Sequence, residues 1–385
     1  MNHEYIGGFQ VVLGVISAFW PVWLGMAIVM GVSFLYKRRL GLYGQLFNSG
    51  VGIAGVAICL FWLFAAIFAS TIAPFDPIAQ IPIMKDALVG AIEPESGKVY
   101  LFGGDKLARD VFSRMVYGSQ IVLIIAPAAT AFALMVGITL GLPAGYYGGR
   151  IDMVLSFLAN LVLAFPVILL FYLLVTPGIM DTAIPYGLAG LFFLFPIIFF
   201  VTLFYTRFKH RPERLYPLLA ATLLIGGWAY VGLVFDADPL GIVSIDPNQL
   251  NIFVAVVFAS SPGVFRIVRG LVMDIKTRDY VAAAQTRGET PWYIMLWEIL
   301  PNARGPLIVD ACLRIGYTTI LLGTLGYFGL GLAPESPDWG TAIKDASRLL
   351  RSFIHPALPP TIALMSFVLG LNLLADALRE QSMKD

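Results

Sequence analysis

Residues 279–302 read DYVAAAQTRGETPWYIMLWEILPN, a polar, charge-bearing interruption in an otherwise very apolar chain. Its punctuation is helix, glycine, helix. Asp279 or Thr277 is placed to cap a first helix, and Ala282, Ala283 and Ala284 are strong helix formers with almost no side chain. Gly288 suits a left-handed turn that ends this helix. Thr290 suits the next N-cap, with Pro291 at the first helical position, where its missing N–H is no loss. Pro301 is expected to stop the second helix. The pattern predicts a bent helical knob facing water, with a small-residue face that another protein can approach closely.

Composition says what surrounds that knob. Of 385 residues, 58% are hydrophobic and 13% charged, about half the usual charged share of a soluble domain. Mean hydropathy is +0.82. Uncharged runs of about 20 residues recur, which is the length needed to cross a bilayer as a helix. The short alternating segments of a membrane barrel are not visible. The fold class is therefore all-α and polytopic. A net charge of +1 carries no nucleic-acid signature. Cys59 and Cys312 both lie in apolar runs, where a disulfide framework or zinc site is not expected, and His210 and His355 are isolated. The first hydrophobic run is too long for a cleaved signal peptide and reads as a retained span.

Nine spans are expected, near 9–36, 50–73, 119–147, 153–176, 184–206, 215–235, 250–270, 305–331 and 357–376. The positive-inside rule orients them. Lys37, Arg38 and Arg39 put the end of the first span in the cytoplasm and the N-terminus outside. The stretch 74–118 then lies outside, and so does the acidic segment holding Asp236, Asp238 and Asp246. Arg150, the basic loop 206–214, the cluster Arg266, Arg269, Lys276 and Arg278, the knob and the C-terminus all fall inside. The boundary between the fourth and fifth spans is the least defined.

With the topology in place, the knob resembles the EAA loop of ABC importer permeases: Glu-Ala-Ala, three residues, Gly, nine residues, Ile, one residue, Leu-Pro. Ala283, Ala284, Gly288, Leu300 and Pro301 match in register, while Ala282 stands for the Glu and Glu298 for the Ile. Other stretches are similar to the dipeptide/oligopeptide-type branch of binding-protein-dependent importers. They are Ala73-Pro74-Phe75-Asp76-Pro77 after the second span and Gly104–Arg114, which resembles a GTDxxGRDxxSR box with Ala108 for the inner Gly. Gly145–Gly149 with Asp152, Ala164-Phe165-Pro166, Gly329-Leu330-Gly331 and Trp339-Gly340 follow in order. The resemblance runs from about 73 to 380 and implies a type I core of six helices. The span 9–36 and most of 177–249 are extra, adding about three helices. The implied organisation is an N-terminal helix and linker, 1–49; a first core helix with its extracytoplasmic segment, 50–116; the permease domain, 117–376, with an inserted two-helix hairpin, 177–249; and a cytoplasmic tail, 377–385.

The resemblance implies ATP-driven import across the bacterial cytoplasmic (inner) membrane. This chain would be no enzyme and would bind no cofactor itself. ATP and Mg would sit on two cytoplasmic ATPase subunits, with a sister permease and an extracytoplasmic solute-binding protein as further partners and membrane lipid around them. No GxxxxGK[ST] loop occurs in the sequence. Ala282, Ala283, Ala284, Gly288, Glu298, Leu300 and Pro301 would form the ATPase-coupling loop, and Glu298 would either pair with an ATPase residue or be solvated. Arg109, Asp110 and Arg114 have helical spacing that allows local ion pairs, and Asp105 belongs to the same box. They would build an elbow on the outer membrane surface, or else touch the binding protein. Asp310 and Arg314, four apart near the inner end of the eighth span, would line the translocation path or its gate, or else be a pair solvated at the interface. The basic loop 206–214 reads as a topology determinant, with anionic lipid as a second reading. The branch handles dipeptides, oligopeptides, glutathione, opines, nickel complexes and oligosaccharides. Two other classes make different demands on the sequence. A secondary transporter or channel would show intramembrane acids and an inverted repeat. A membrane enzyme would show a convergent polar set at membrane depth.

Overall fold

The structure, a computed structural model, describes residues 4–175, 182–235, 237–238, 241, 247–330, 335–347, 349–350 and 352–382. The junction near Pro177, the acidic residues Asp236 and Asp246, and Gly331 lie outside the described residues. Sixteen α-helices are used as labels below: α1 Gly8–Ala18, α2 Trp20–Leu35, α3 Gly41–Gln45, α4 Gly50–Ile67, α5 Ala69–Ile72, α6 Val111–Tyr147, α7 Gly149–Ala164, α8 Val167–Val175, α9 Ala183–Phe208, α10 Pro212–Phe235, α11 Pro247–Ile275, α12 Asp279–Thr286, α13 Pro291–Tyr293, α14 Arg304–Phe328, α15 Trp339–Ser347 and α16 Leu358–Ser382. Among the described residues, seven helical runs are long and apolar enough to cross a membrane, and two bent pairs bring the number to nine if each pair is one span.

Both bends have a proline behind them. Between α1 and α2 the axis turns by 50° at Phe19. Pro21, in the first turn of α2, has no N–H to continue the ladder and its ring crowds the preceding turn. Between α7 and α8 the turn is 77°. Phe165 sits there in extended conformation (φ −80°, ψ 129°), as a residue preceding proline prefers, and Pro166 follows. The first and fourth expected spans are thus broken rather than straight.

The chain divides into two compact units, Met1–Pro127 with Cys312–Asp385, and Ala128–Ala311. In the first, α4 packs along α16 and α2 packs on α4. Trp339 is buried in an apolar cluster of this unit. Its ring lies 5.1 Å from that of Trp62 and 6.4 Å from that of Phe367. Its indole N–H donates to the Met115 carbonyl at 2.8 Å, so a large apolar body is buried with its one donor satisfied. The same unit holds the segment read as extracytoplasmic, with a two-stranded ribbon pairing Ala91–Ile92 with Val99–Tyr100.

Ala108, where the resembled box has glycine, adopts φ +62°. An L-residue in that region is strained by roughly 1–2 kcal/mol. Its carbonyl is held by the Tyr100 hydroxyl (3.2 Å) and the Ile81 N–H (3.1 Å), which fix the turn. Ala108→Gly is expected to raise stability by about 1 kcal/mol, seen as a rise of about 2 °C in the melting temperature of the detergent-solubilised chain.

In the second unit, α6 and α11 approach along matched rows. A Cβ on Gly137, Gly141 or Gly145 would come within 2.4, 2.8 or 2.7 Å of Val264, Val268 or Val272 respectively. Three small residues four apart face three β-branched residues four apart, a close-contact seam of the kind membrane helices use. Lys276 at the end of α11 donates to the Gly145 carbonyl (2.9 Å) and covers the open carbonyl end of α6. Arg269 donates to both carboxylate oxygens of Asp152 from one edge of its guanidinium, through Nε and through Nη2, the latter at 2.6 Å. α9 packs on α11 and α10 packs on α9. α10 leaves Tyr216, Leu223, Leu224, Ile225 and Phe235 exposed, a surface suited to lipid and not to water.

Candidate functional site: the helical knob at residues 279–303

The knob begins with α12. Its N-cap position is Arg278, in extended conformation and without a side-chain cap bond. This corrects the expectation for Asp279 and Thr277. Asp279 lies in the first turn, where its charge favours the helix N-terminus, and the Thr277 hydroxyl donates back to the Asp274 carbonyl. α12 ends as expected at Gly288 (φ +75°). The Gly288 N–H reaches the Gln285 carbonyl at 2.9 Å and the Glu289 N–H reaches the Ala284 carbonyl at 3.2 Å. These two bonds make a Schellman turn, which only glycine enters without strain.

The second helix starts at Thr290 and Pro291. The Thr290 carbonyl accepts the Ile294 N–H at 3.0 Å, but its hydroxyl makes no cap bond. Pro301 does not stop this helix, which corrects the sequence expectation. The helical run continues from Pro291 to Phe328. It does so through a widened π turn at Ile294–Ile299 and a tight 3₁₀ turn at Leu300–Ala303. The irregular turns accommodate the proline ring and its missing donor, and the Asn302 amide covers the Glu298 carbonyl at 2.7 Å.

The alanines divide by face. Val281 and Ala284 are fully buried in a cluster with Ile294, Met295 and Ile299, whereas Ala282, Ala283 and Gly288 are exposed. Ala284 therefore shapes the knob from within, and the approachable surface is Ala282–Ala283. Glu298 ion-pairs with Arg287 at 2.8 Å inside the knob, a partner in neither of its two sequence readings. The pair links the turn after α12 to the second helix. Leu300 is half-buried and Pro301 exposed. The knob is also tied to its surroundings. The Gln285 amide donates to the Tyr146 hydroxyl at 3.2 Å, and Arg207 of α9 donates to the Tyr293 hydroxyl at 3.0 Å. Trp297 donates to Thr206 at 3.2 Å. Arg207, Thr206, Trp297 and Arg287 carried no motif signal, and the basic loop 206–214 masked the first.

The second sequence-predicted cluster is a buried polar network around residues 104–114. Asp105 accepts from the backbone N–H groups of Leu107 (2.8 Å) and Arg109 (2.9 Å) and pairs with the Arg109 guanidinium at 2.6 Å. Arg109 also reaches Asp345 at 2.8 Å, and Lys106 meets the other oxygen of Asp345 at 2.8 Å. Burial alone would raise the Asp345 carboxyl, but Lys106 and Arg109 hold it below the usual carboxylate range. Arg114 donates to the carbonyls of Pro77 (3.2 Å) and Ser336 (2.8 Å). Asp105, Arg109, Asp110 and Arg114 are all buried, so their side chains hold the segment's own turns together. The local pairing expected among Arg109, Asp110 and Arg114 is not what forms: Arg109 pairs instead with Asp105, ahead of the helix, and Arg114 reaches backbone carbonyls. α6 starts directly after this network, at Val111, and runs 37 residues, about 55 Å.

Asp110 caps α6, accepting from the Ser113 N–H (2.9 Å) and hydroxyl (2.6 Å). Burial pushes its carboxyl up to about 6, against the pull of those bonds. An unfolded aspartate titrates near 3.9, so the stability this group contributes is complete below about pH 4 and is lost as pH rises through 6. Asp110→Asn keeps the capping acceptor without the charge. The variant is expected to exceed the native chain in melting temperature at pH 8, by about 1–3 kcal/mol in stability, with the advantage vanishing by pH 4. His355, which burial holds below its usual range, titrates oppositely across part of this window but is common to both proteins and cancels.

Asp310 and Arg314 lie one turn apart on α14, each half-buried. Among the described residues, no three His, Cys, Asp or Glu side chains gather as a metal site.

Comparison with known proteins accords with this geometry. Residues 137–382, well over half of the chain, match the family described as the binding-protein-dependent transport system inner membrane component. The dipeptide transport system permease protein DppC of Alkalihalophilus pseudofirmus is 26% identical over 343 residues, covering 88% of this chain and 87% of the relative. The di/tripeptide transport system permease protein DppC of Pseudomonas aeruginosa is 28% identical over 352 residues, covering 90% and 93%. The glutathione transport system permease protein GsiD of Pectobacterium atrosepticum is 26% identical over 330 residues, covering 86% and 85%. The matched region holds the knob, the α6–α11 seam and the whole of α14, and the chain belongs to the family of binding-protein-dependent transport system inner membrane components, as a non-catalytic, multi-pass permease subunit.

Proposed function

We propose that this permease passes peptides or a chemically related small solute inward across the membrane. An extracytoplasmic binding protein delivers the solute, and two cytoplasmic ATPases working on this chain and a sister permease supply the energy. ATP and Mg belong to the ATPases. The observation that carries the reading is the knob itself: an exposed Ala282–Ala283 surface, a turn fixed at Gly288, and an unbroken helical run from Pro291 to Phe328 that makes the knob one end of a lever. A surface made of small side chains admits a partner's backbone closely, so a displaced ATPase carries the knob with it. Energy enters only as a difference in contact between two states, and a gripped knob provides that difference. The Arg287–Glu298 pair stiffens the knob itself, and Ala282 stands where the resembled loop has its glutamate.

In this reading the N-terminus and the 74–118 segment lie outside and the C-terminus lies in the cytoplasm. Asp105, Arg109, Asp110 and Arg114 anchor the outer segment, the hairpin 177–249 is an insertion into the six-helix core, and Asp310 with Arg314 lines the path or its inner gate. The similarity to dipeptide, di/tripeptide and glutathione permeases supports the solute class.

The test is reconstitution with the sister permease, both ATPases and the binding protein in proteoliposomes, offering labelled dipeptides, tripeptides and glutathione. ATP-dependent, binding-protein-dependent uptake is expected; uptake by this chain alone without ATP would overturn the reading. For orientation, with Cys59 and Cys312 replaced, a cysteine at Ser96 should react with an impermeant maleimide on intact cells, and one at Arg211 only after permeabilisation.

A further inference from the structure

Within the second unit, α9 of the extra hairpin touches the knob at one end and core helices further along. At its C-terminal end, Arg207 stacks over the Trp297 ring with its guanidinium carbon 4.8 Å from the ring centroid, and donates to the Tyr293 hydroxyl at 3.0 Å. One helical position earlier, the Thr206 hydroxyl accepts the Trp297 indole N–H at 3.2 Å. Tyr293 and Trp297 both belong to the second helix of the knob, one turn apart and on either side of the start of the π turn. Thirteen residues up α9, about 20 Å along the axis, Phe193 stacks on Phe253 of α11 at 5.6 Å and meets Phe132 of α6 edge-on at 5.2 Å. Phe132 and Phe253 are themselves in contact at 5.1 Å. α9 is thus fastened at two points, to the knob by a cation, two hydrogen bonds and a ring face, and to α6 and α11 by an aromatic triad.

A helix whose only function was to cover the core would meet it through apolar side chains throughout. The polar end is different. Arginine presents a planar, permanently charged fork, and its stacking on an indole while donating to a phenol fixes direction as well as distance. Trp297 satisfies its single donor on the same helix that stacks over its ring. The π turn at Ile294–Ile299, with the 3₁₀ turn that follows it, is where the run Pro291–Phe328 departs from regular α geometry and so is a place where it can bend. We propose that α9 is a strut that holds the knob's second helix in register, with Arg207 and Thr206 as positioning residues. The strut makes ATPase-driven displacement of the knob move the α6–α11 pair instead of being absorbed as bending at the π turn. The proposal rests on the reading of the knob as the ATPase-coupling element.

The test is the amount of solute transported per ATP hydrolysed by the full complex in proteoliposomes, normalised to assembled complex. Arg207→Ala is expected to lower this ratio about tenfold, the size of an ordinary coupling free energy. Arg207→Lys should recover part of it, keeping charge over the ring but losing the fork. Thr206→Val and Tyr293→Phe each remove one hydrogen bond with little change of shape, and both should lower the ratio by a smaller factor. They keep the proposal testable if Arg207→Ala fails to assemble. An unchanged ratio in Thr206→Val, Tyr293→Phe and any assembled Arg207→Ala complex, even with less complex recovered, would overturn the strut. The knob reading is separated by Ala283→Arg in the same preparation. If the ATPases still copurify with that variant, the coupling role of the knob itself fails; if they are lost while the Arg207, Thr206 and Tyr293 variants keep a native ratio, only the strut fails.

Discussion

Ala283→Arg is expected to abolish ATP-driven uptake while leaving the chain folded and inserted. Ala283 is exposed on α12, on the opposite face from Val281 and Ala284, which are buried against Ile294 and Met295. A long side chain at position 283 therefore meets no part of this chain, and arginine is a good helix former, so α12 itself is undisturbed. In the proposed coupling role, what it meets is the ATPase docked on the small-residue surface. Forcing a bulky charge into a closely packed, partly dehydrated contact is expected to weaken association by about 3 kcal/mol or more, roughly a hundredfold or greater in affinity. Copurification of the ATPase subunits from detergent and ATP-dependent uptake should be lost together, with an unchanged melting temperature for the isolated chain. Ala284→Arg makes the contrast. Its side chain would point into the buried cluster, so the melting temperature should fall as well. If Ala283→Arg retains both the ATPases and uptake, the exposed alanines are not the docking surface.

Most of the fold was legible because crossing a bilayer constrains sequence more tightly than folding in water does. The seven continuous runs and two bent pairs follow the hydropathy pattern closely, and Gly288 follows from its place between two helical stretches. What was not legible depended on partners distant in sequence. Pro301 looked like a stop because the local rule for proline has no term for a π turn absorbing it upstream. Glu298 looked solvated or foreign-bound because Arg287, eleven residues earlier, becomes its neighbour only once the chain turns at Gly288. Arg109 finds Asp345 across 236 residues, and no spacing rule reaches that far. Thr206 and Arg207 open a basic loop in the sequence, and nothing local distinguishes a topology signal from a side chain stacked on Trp297. The glycine row on α6 was the one missed feature with a local signature, three glycines at four-residue spacing beside a span whose partner shows valines at the same spacing.

That row carries the other large prediction. Gly141→Leu is expected to destabilise the chain by about 3 kcal/mol or more and to sharply reduce the amount inserted and folded. The Cβ alone would stand 2.8 Å from Val268 Cβ and 3.0 Å from the Phe265 carbonyl oxygen. The carbonyl is backbone and cannot rotate away, so α6 and α11 must separate. Separation at Gly141 also loosens the contacts at Gly137 and Gly145, and it draws Lys276 from the carbonyl end of α6. Helix propensity works the other way: leucine is better than glycine in a helix, by somewhat less than the roughly 1 kcal/mol that separates glycine from alanine. The matched control is Gly270→Leu on α11, where an added Cβ meets nothing within 4 Å. It should therefore be neutral or slightly stabilising. The second arm exchanges knob and hole, Gly141→Val with Val268→Gly, which restores the volume at the seam but leaves the Phe265 carbonyl in place. Partial recovery of melting temperature in the double variant, relative to Gly141→Val alone, locates the loss in the side-chain contact. No recovery assigns it to the backbone approach, and equal behaviour of Gly141→Leu and Gly270→Leu would mean that α6 and α11 do not meet along this row.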